Sequence, residues 1–142
     1  MYDIVIVSGG FDPVHKGHVR MVQAAAELGE QVVVGVNSDE WLRRKKGKEF
    51  MSHDERIEIM NAFKGVSRAV AFDDSDNSAS DLIHQVRAQN PDLSIAFANG
   101  GDRTSKNIPE IQTCLDNSVD MIWNVGGGKI QSSSDLIKRS TL

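Results

Sequence analysis

Two histidines, three residues apart, stand shortly after an apolar segment near the start of the chain. They belong to residues 9–18, GGFDPVHKGH, which follow the apolar run IVIV at positions 4–7. If a helix begins here, its first backbone N–H groups point outward without partners, and its dipole favours negative charge. An imidazole can donate a hydrogen bond whether it is neutral or charged. The spacing of His15 and His18 therefore predicts a turn that binds phosphate groups.

The residues before the two histidines fit the same interpretation. Gly9 and Gly10 permit a sharp turn and a close approach of a ligand to the backbone, and Asp12 with Pro13 favours a turn. Two alternatives stay open: the imidazoles could merely pack or cap a helix, or they could bind zinc. A zinc site needs third and fourth ligands, and the sequence offers none at an obvious spacing.

A second polar segment follows the next apolar run. Residues 36–39 read VNSD, and residues 43–48 read RRKKGK. Lys and Arg side chains that leave the end of a strand can reach into one cleft and bind phosphate there. The alternatives are that this basic run is only a solvated helix face, or that it contacts nucleic acid.

Two further polar loops complete the set of candidate segments. Residues 99–103 read NGGDR, where paired glycines allow a flat base to approach the backbone and Asp102 can accept a hydrogen bond from a hydroxyl. A plain turn is the alternative for this loop. Residues 129–134 read KIQSSS, ahead of an apolar pattern typical of a helix. Consecutive serines there are first of all helix caps, and their hydroxyls could also surround the outer phosphates of a nucleotide.

These four segments require a scaffold in which apolar strands alternate with helices. The apolar runs predict strands over residues 4–8, 31–36, 68–72, 93–98 and 121–125. The helical patterns and caps predict helices over residues 16–28, 39–44, 53–63, 79–89, 109–117 and 134–139. Near-continuous apolar strands are typical of parallel sheets that are buried on both faces. The sequence therefore predicts an α/β fold, a three-layer, Rossmann-like, doubly wound parallel sheet of five strands with helices on both faces.

The composition bounds what the chain could do. Its 142 residues suit one domain, residues 1–142. No apolar run is long enough to span a bilayer and the N-terminus lacks the regions of a signal peptide, so no membrane partner is expected. Cys114 is the single cysteine, which excludes an internal disulfide and favours a cytoplasmic location. The net charge of −4 argues against general nucleic-acid binding.

The first segment resembles the signature of the cytidylyltransferase-like nucleotidylyltransferases. Residues 15–18, preceded by Gly-Phe-Asp, match the His-x-Gly-His motif of that family, and the serine run resembles its second motif, Ile-Ser-Ser-Ser. Val-Asn-Ser-Asp with the following Lys-Gly stretch is similar to the sugar-phosphate branch. The Gly-Gly-Asp loop resembles that of heptose-phosphate adenylyltransferases, although Arg103 stands where those enzymes often have an aromatic residue. The tryptophan-containing variant of this loop, usual in glycerol-phosphate cytidylyltransferases, is absent.

The resemblance implies transfer of a nucleotidyl group from a nucleoside triphosphate to a small phosphorylated acceptor such as a sugar phosphate, with release of pyrophosphate. By the matched positions, catalysis is expected from His15, His18 and Lys46. Nucleotide binding is assigned to Gly9, Gly10, Phe11, Gly17, Gly100, Asp102, Arg103, Ser132, Ser133 and Ser134. Acceptor binding is assigned to Asp12, Asn37, Asp39 and Arg56, although Arg56 could equally make a structural salt bridge. Mg²⁺ is the expected cofactor, bound through the triphosphate, with no metal ligands among the site residues.

Two alternatives to this function stay open. CTP with a glycerol or alcohol phosphate competes with ATP and a sugar phosphate, and the second and third segments favour ATP. A regulatory module that binds a nucleotide without any chemistry would keep the same pocket. In either case the partners are small molecules, and a homodimer is compatible with the chain because related enzymes are often dimers.

Overall fold

Strands and helices alternate along the part of the chain that the structure describes. The structure is a computed structural model, and it describes residues 1–99, 108–123 and 125–126. The elements in these ranges are β1 Tyr2–Gly9, α1 Lys16–Leu28, β2 Gly29–Val36, α2 Asp39–Lys46, α3 His53–Asn61, β3 Arg68–Ala71, α4 Ser80–Gln89, β4 Ile95–Ala98, α5 Ile108–Asp116 and β5 Asp120–Ile122. None of the helices in these ranges combines the length and the apolar character that a membrane crossing requires.

The five strands form one sheet in the order β3-β2-β1-β4-β5, and every pairing is parallel. The chain therefore winds from the central β1 toward one edge and then returns to build the other edge. Because all strands point the same way, their carboxyl ends share one edge of the sheet, and the winding reverses between β1 and β4. In open α/β sheets, ligands bind outside this point of reversal. The predicted α/β, Rossmann-like fold is confirmed.

Alternation along the strands divides the core between the two faces of the sheet. Ile4 and Ile6 belong to a buried cluster with residues of α4 and α5, whereas Val5 and Val7 belong to one with residues of α1 and α3. Successive side chains of a strand point to opposite faces, so one apolar run serves both helical layers. The near-continuous apolar strands thus have the physical cause that the sequence suggests, namely burial on both sides.

The predicted elements recur with small shifts at their ends. Helix α2 continues to Lys46 instead of ending at residue 44, because its last turn is basic, which suits the negative end of the helix dipole, and Gly47 ends it at a φ of +90°. Strand β4 starts only at Ile95, since the backbone N–H and hydroxyl of Ser94 both bond the Asp3 carboxylate. Strand β5 covers Asp120–Ile122, not residues 121–125. The predicted helix over residues 134–139 lies outside the described residues.

One glycine allows α4 to pack closely against the sheet. An added Cβ at Gly35 would overlap a methyl group of Leu82 and approach the ring of Phe72 to 3.0 Å. Both neighbours are buried, so they have little space into which to move.

We therefore expect Gly35→Ala to lower the free energy of unfolding by about 1–3 kcal/mol, as overpacking of a core does. Urea denaturation measures the loss. Gly35→Ala combined with Leu82→Ala should cost less than the sum of the two single changes, because removing the Leu82 methyl groups opens the needed space. Strict additivity of the two changes would contradict this account of the packing.

Candidate active site

The two histidines of the first motif cap the start of α1 together. His15 is the residue before the helix, and its Nδ1 accepts a hydrogen bond from the backbone N–H of Gly17 at 3.1 Å. The Nδ1 of His18 accepts a hydrogen bond from the backbone N–H of His15 at 3.2 Å. This reciprocal arrangement is a capping box in which two imidazoles replace the usual Ser or Thr and Glu or Gln.

The capping bonds determine which nitrogen of each ring carries the proton. A nitrogen that accepts from an N–H group cannot itself hold a hydrogen, so in a neutral imidazole the other nitrogen, Nε2, is the donor. Burial, with a smaller contribution from the neighbouring His15, lowers the pKa of His18 to about 4. At neutral pH, His18 is therefore an uncharged ring that offers Nε2–H as a hydrogen-bond donor.

The side chain of Phe11 packs against the histidine pair through its contact with His18. Its ring is almost fully buried and meets the His18 ring edge-on at a centroid distance of 4.8 Å, while the two imidazoles stack at 4.0 Å. Phe11 has a φ of +52°, which non-glycine residues adopt rarely, so the packing of its ring offsets a backbone cost. The space beside Gly9 is filled by this same ring, 3.2 Å from the position of an added Cβ. The sequence predicts that Phe11 contacts the nucleotide, which stays a prediction; in the structure its ring packs against the His18 imidazole.

Lys46 joins the end of α2 to the turn that precedes the histidines. Its Nζ donates to the backbone carbonyl of Asp12 at 2.6 Å and lies 3.0 Å from the Asp12 carboxylate. The buried Asp12 carboxylate also accepts the backbone N–H groups of Phe50 and Met51. Asp12 therefore ties three parts of the chain together and places the ammonium group of Lys46 against the turn that leads into the histidine motif.

The three basic residues before Lys46 contact other parts of the chain. Arg43 makes two hydrogen bonds with Glu49, which lower the pKa of Glu49 to about 2. Arg44 donates to Asn77 and to the carbonyl of Asp74, and the ammonium of Lys45 lies 4.7 Å from the centroid of a Trp41 ring. The solvated-face interpretation thus describes Arg43 and Lys45 well, and Lys46 is the residue in this run that contacts Asp12, in the turn before the histidine motif.

Arg56 is fully buried and bonds four residues in the loops around the site. Its guanidinium donates to the backbone carbonyls of Gly10, Asn37 and Met51 and forms an ion pair with Asp39 at 2.7 Å. One side chain thereby fastens the loops that follow β1 and β2 to the segment before α3. These contacts favour the alternative interpretation of Arg56, in which it forms a structural salt bridge. The partner in that salt bridge is Asp39, another predicted acceptor-binding residue.

A buried carboxylate that the sequence analysis missed holds the second polar segment. Asp74 accepts hydrogen bonds from the side chain of Asn37 and from both the backbone N–H and the hydroxyl of Ser38. It follows β3, and the pair of aspartates at this strand end, Asp73 and Asp74, was the available signal. The hydroxyl of Ser38 also caps α2 by accepting from the N–H of Trp41.

The structure thus brings most of the predicted site residues to one edge of the sheet. Residues 9–18 and Lys46 meet after β1, and Asn37, Asp39 and Arg56 lie in the adjoining network after β2. The remaining predicted site residues, Gly100, Asp102, Arg103, Ser132, Ser133 and Ser134, lie outside the described residues. Among those described, no three His, Cys, Asp or Glu side chains form a group that could hold a metal ion.

The family model described as cytidylyltransferase-like matches residues 6–139, nearly the whole chain. The chain belongs to this cytidylyltransferase-like family. Membership of this family, which the motifs predicted, is confirmed.

Curated relatives of the chain include proteins named bifunctional protein HldE. The one from Syntrophotalea carbinolica is 32% identical over 140 residues, which are 96% of this chain and 26% of that protein. The one from Pelobacter propionicus is 30% identical over 140 residues, with the same coverage. The chain therefore spans about a quarter of the length of these relatives.

Solved structures of the same architecture include two more distant proteins. A bifunctional NMN adenylyltransferase/ADP ribose pyrophosphatase from Francisella tularensis has a TM-score of 0.72 at 18% identity, over 98% of this chain and 42% of that one. A lipopolysaccharide core biosynthesis protein from Thermoplasma volcanium has a TM-score of 0.65 at 19% identity, over 87% of this chain and 96% of that one. At these identities the likeness concerns the fold.

The double role of His18, as a cap and as a donor, can be separated by one substitution. Gln is a standard residue at this position of a capping box, so His18→Gln keeps a side chain that can accept the His15 N–H but removes the imidazole. We expect turnover to fall about 100-fold or more, the usual cost of losing one transition-state donor, while the free energy of unfolding changes by less than about 1 kcal/mol.

Pyrophosphate release and urea denaturation measure these two quantities. His84→Gln is the matched control, because it deletes an exposed imidazole on α4. A folded His18→Gln protein with normal turnover would show that the imidazole does no chemistry.

Proposed function

We propose that the protein transfers a nucleotidyl group from a nucleoside triphosphate, with ATP favoured over CTP, to a sugar phosphate. The observation that carries this proposal is the histidine cap, which holds two imidazoles with Nε2–H as the donating group, together with the ammonium of Lys46 at the preceding turn, on Asp12. The similarity to proteins named HldE and the heptose-type motif support a sugar phosphate as the acceptor.

The reaction needs positioning and charge stabilisation more than acid–base chemistry. An oxygen of the acceptor phosphate, already ionised near neutral pH, attacks the α-phosphorus. A new P–O bond forms, the bond from the α-phosphorus to its bridging oxygen breaks, and pyrophosphate leaves with that electron pair. No proton has to be removed from the nucleophile, so no strong general base is required. Fixed donors aimed at the developing charge then supply most of the acceleration.

The histidines and Lys46 divide this work between them. Uncharged His18 donates Nε2–H to a phosphate oxygen and is already oriented by its capping bond, so little reorganisation is needed during the reaction. We assign His15 the same role at a neighbouring oxygen. Lys46 supplies positive charge to the acceptor phosphate or the α-phosphate, exchanging its contacts with Asp12 for contacts with the substrate.

The residues present suit a metal ion that arrives with the triphosphate. The carboxylate closest in sequence to the histidines, Asp12, is buried and already accepts two backbone N–H groups and Lys46. Mg²⁺ keeps several waters and is usually bound through substrate phosphates and few carboxylates, which fits such a site. When bound, it would neutralise phosphate charge and so lessen the repulsion between the two anionic substrates.

The other nucleotide contacts that we propose come from the family motifs. Gly100, Asp102 and Arg103 would adjoin the base and ribose, and the serines at 132–134 would bind the leaving pyrophosphate. The backbone of residues 9, 10 and 17 would lie against the triphosphate. Because Asp12, Asn37, Asp39 and Arg56 all bond other parts of the chain, we propose that they act on the acceptor by shaping the loops around it.

Lys46→Met tests the assigned role of the ammonium group. We expect kcat/KM for the acceptor to fall about 100-fold, since a charge-assisted contact to a phosphate is lost. The assay is pyrophosphate release from ATP or CTP, with Mg²⁺ and sugar, glycerol or alcohol phosphates as acceptors. Lys45→Met, one residue away, should remain within about threefold of the unaltered protein, because Lys45 lies over Trp41.

Thermal unfolding shows whether Lys46→Met is folded. Equal losses in the two variants would remove Lys46 from the site. Triphosphate binding without pyrophosphate release from any acceptor would favour the regulatory module instead, and a preference for CTP with glycerol phosphate would correct the substrates.

A further inference from the structure

An open cavity of about 380 Å³ lies where β2 and β3 end, beside the site and separate from the histidine motif. Its wall comes from three segments: the start of α2 with Ser38 and Glu40, the start of α3 with His53, and the loop after β3 with Phe72, Asp73 and Asp74. This volume falls within the range of pockets that bind small molecules. Neither histidine of the motif, nor Lys46, lines it.

Helix α2 connects this cavity to Lys46. Asp39 and Glu40, in its first turn, line the cavity, and Lys46 is its last residue. With a rise of 1.5 Å per residue, the two ends of this helix are about 10 Å apart. A molecule whose phosphate lies against Lys46 therefore needs to span about 10 Å along α2 to place its other end in the cavity.

The wall of the cavity carries hydrogen-bond acceptors, which suit a ligand with hydroxyl groups. His53 donates Nε2–H to the carbonyl of Val36 at 2.9 Å, which leaves Nδ1 of the neutral ring as an acceptor. Asp73 is held in place by the N–H and hydroxyl of Ser75, and these bonds lower its pKa. Glu40 adds a third acceptor on the exposed side. Carboxylates and an imidazole nitrogen accept hydrogen bonds from hydroxyls, and the carboxylates repel a second phosphate.

Two of the four carboxylates in the wall already have partners within the chain. Asp39 is paired with Arg56, and Asp74 already accepts three hydrogen bonds, so these two carboxylates are largely compensated. Arg43 also lines the cavity, and its guanidinium is paired with Glu49. The remaining acceptors of the wall can each take a hydrogen bond from a hydroxyl, which a quaternary ammonium cannot donate, so a group rich in hydroxyls fits the cavity better.

We propose that this cavity binds the hydroxyl-bearing body of the acceptor, and that Glu40, Asp73 and His53 select polyhydroxylated phosphates over simple alkyl phosphates. The inference rests on the proposed function and identifies its specificity determinants. The acceptor phosphate lies at Lys46 and the carbon chain follows α2 into the cavity.

Steady-state kinetics of the double variant Glu40→Ala/Asp73→Ala test this inference. The acceptors are aldose 1-phosphates of five to seven carbons, glycerol 3-phosphate, ethyl phosphate and choline phosphate. For the best aldose phosphate we expect KM to rise at least about 10-fold, with kcat and the KM of the nucleoside triphosphate nearly unchanged. The preference for the aldose phosphate over ethyl phosphate should fall by the same factor. Glu27→Ala, an exposed carboxylate on α1, is the control and should change nothing.

The outcomes separate this inference from the function on which it rests. If the unaltered protein uses aldose phosphates and the double variant keeps its KM and its preference, the cavity does not hold the acceptor, and the transferase assignment stands. If choline phosphate is the preferred acceptor and loses affinity in the double variant, the cavity binds a cation and the proposal is overturned. If no acceptor supports pyrophosphate release by the unaltered protein, both the function and this inference fail.

Discussion

Two hydrogen bonds from the backbone to imidazole nitrogens, at the start of α1, determine the orientation and the tautomer of both histidines in the candidate site. The N–H groups of His15 and Gly17 need acceptors because the first turn of a helix has none of its own. By supplying Nδ1 to them, the two rings satisfy the helix and become fixed as Nε2–H donors. Burial keeps His18 uncharged at neutral pH. A structural requirement of the helix thus produces an oriented pair of donors where an anion is favoured.

This cap depends on the loops around it, which buried charges hold together. Arg56 binds three backbone carbonyls and Asp39, and Asp12 binds two backbone N–H groups and Lys46. Charged groups can be buried only when such bonds replace their hydration. The loops after β1 and β2 are therefore difficult to displace separately. This rigidity keeps Lys46, on a different helix, against the turn that precedes the histidines.

Sequence reasoning located the strands and helices well because burial on both faces of the sheet leaves near-continuous apolar runs. It also predicted, from local motifs, a site at the histidine turn and Lys46, and their roles stay predictions. It could not show that Asp12 and Arg56 would form their hydrogen bonds within the chain, because the partners are distant in sequence. Phe50 is 38 residues from Asp12, and Gly10 is 46 residues from Arg56. Asp74 was missed for the same reason: its partners, Asn37 and Ser38, lie on another loop. The residues after β4 and the serine run lie outside the described ranges, so their roles stay predictions.

The protonation of His18 is the most direct test of this account. Long-range ¹H–¹⁵N correlation NMR of the ¹⁵N-labelled protein reports which imidazole nitrogen carries the proton and at what pH the ring becomes charged. We predict that His18 is the Nε2–H tautomer throughout the neutral range, with a pKa close to 4. An Nδ1–H tautomer, or a pKa near the ordinary histidine value of about 6.5, would contradict the claim that the helix cap fixes this ring as an uncharged donor.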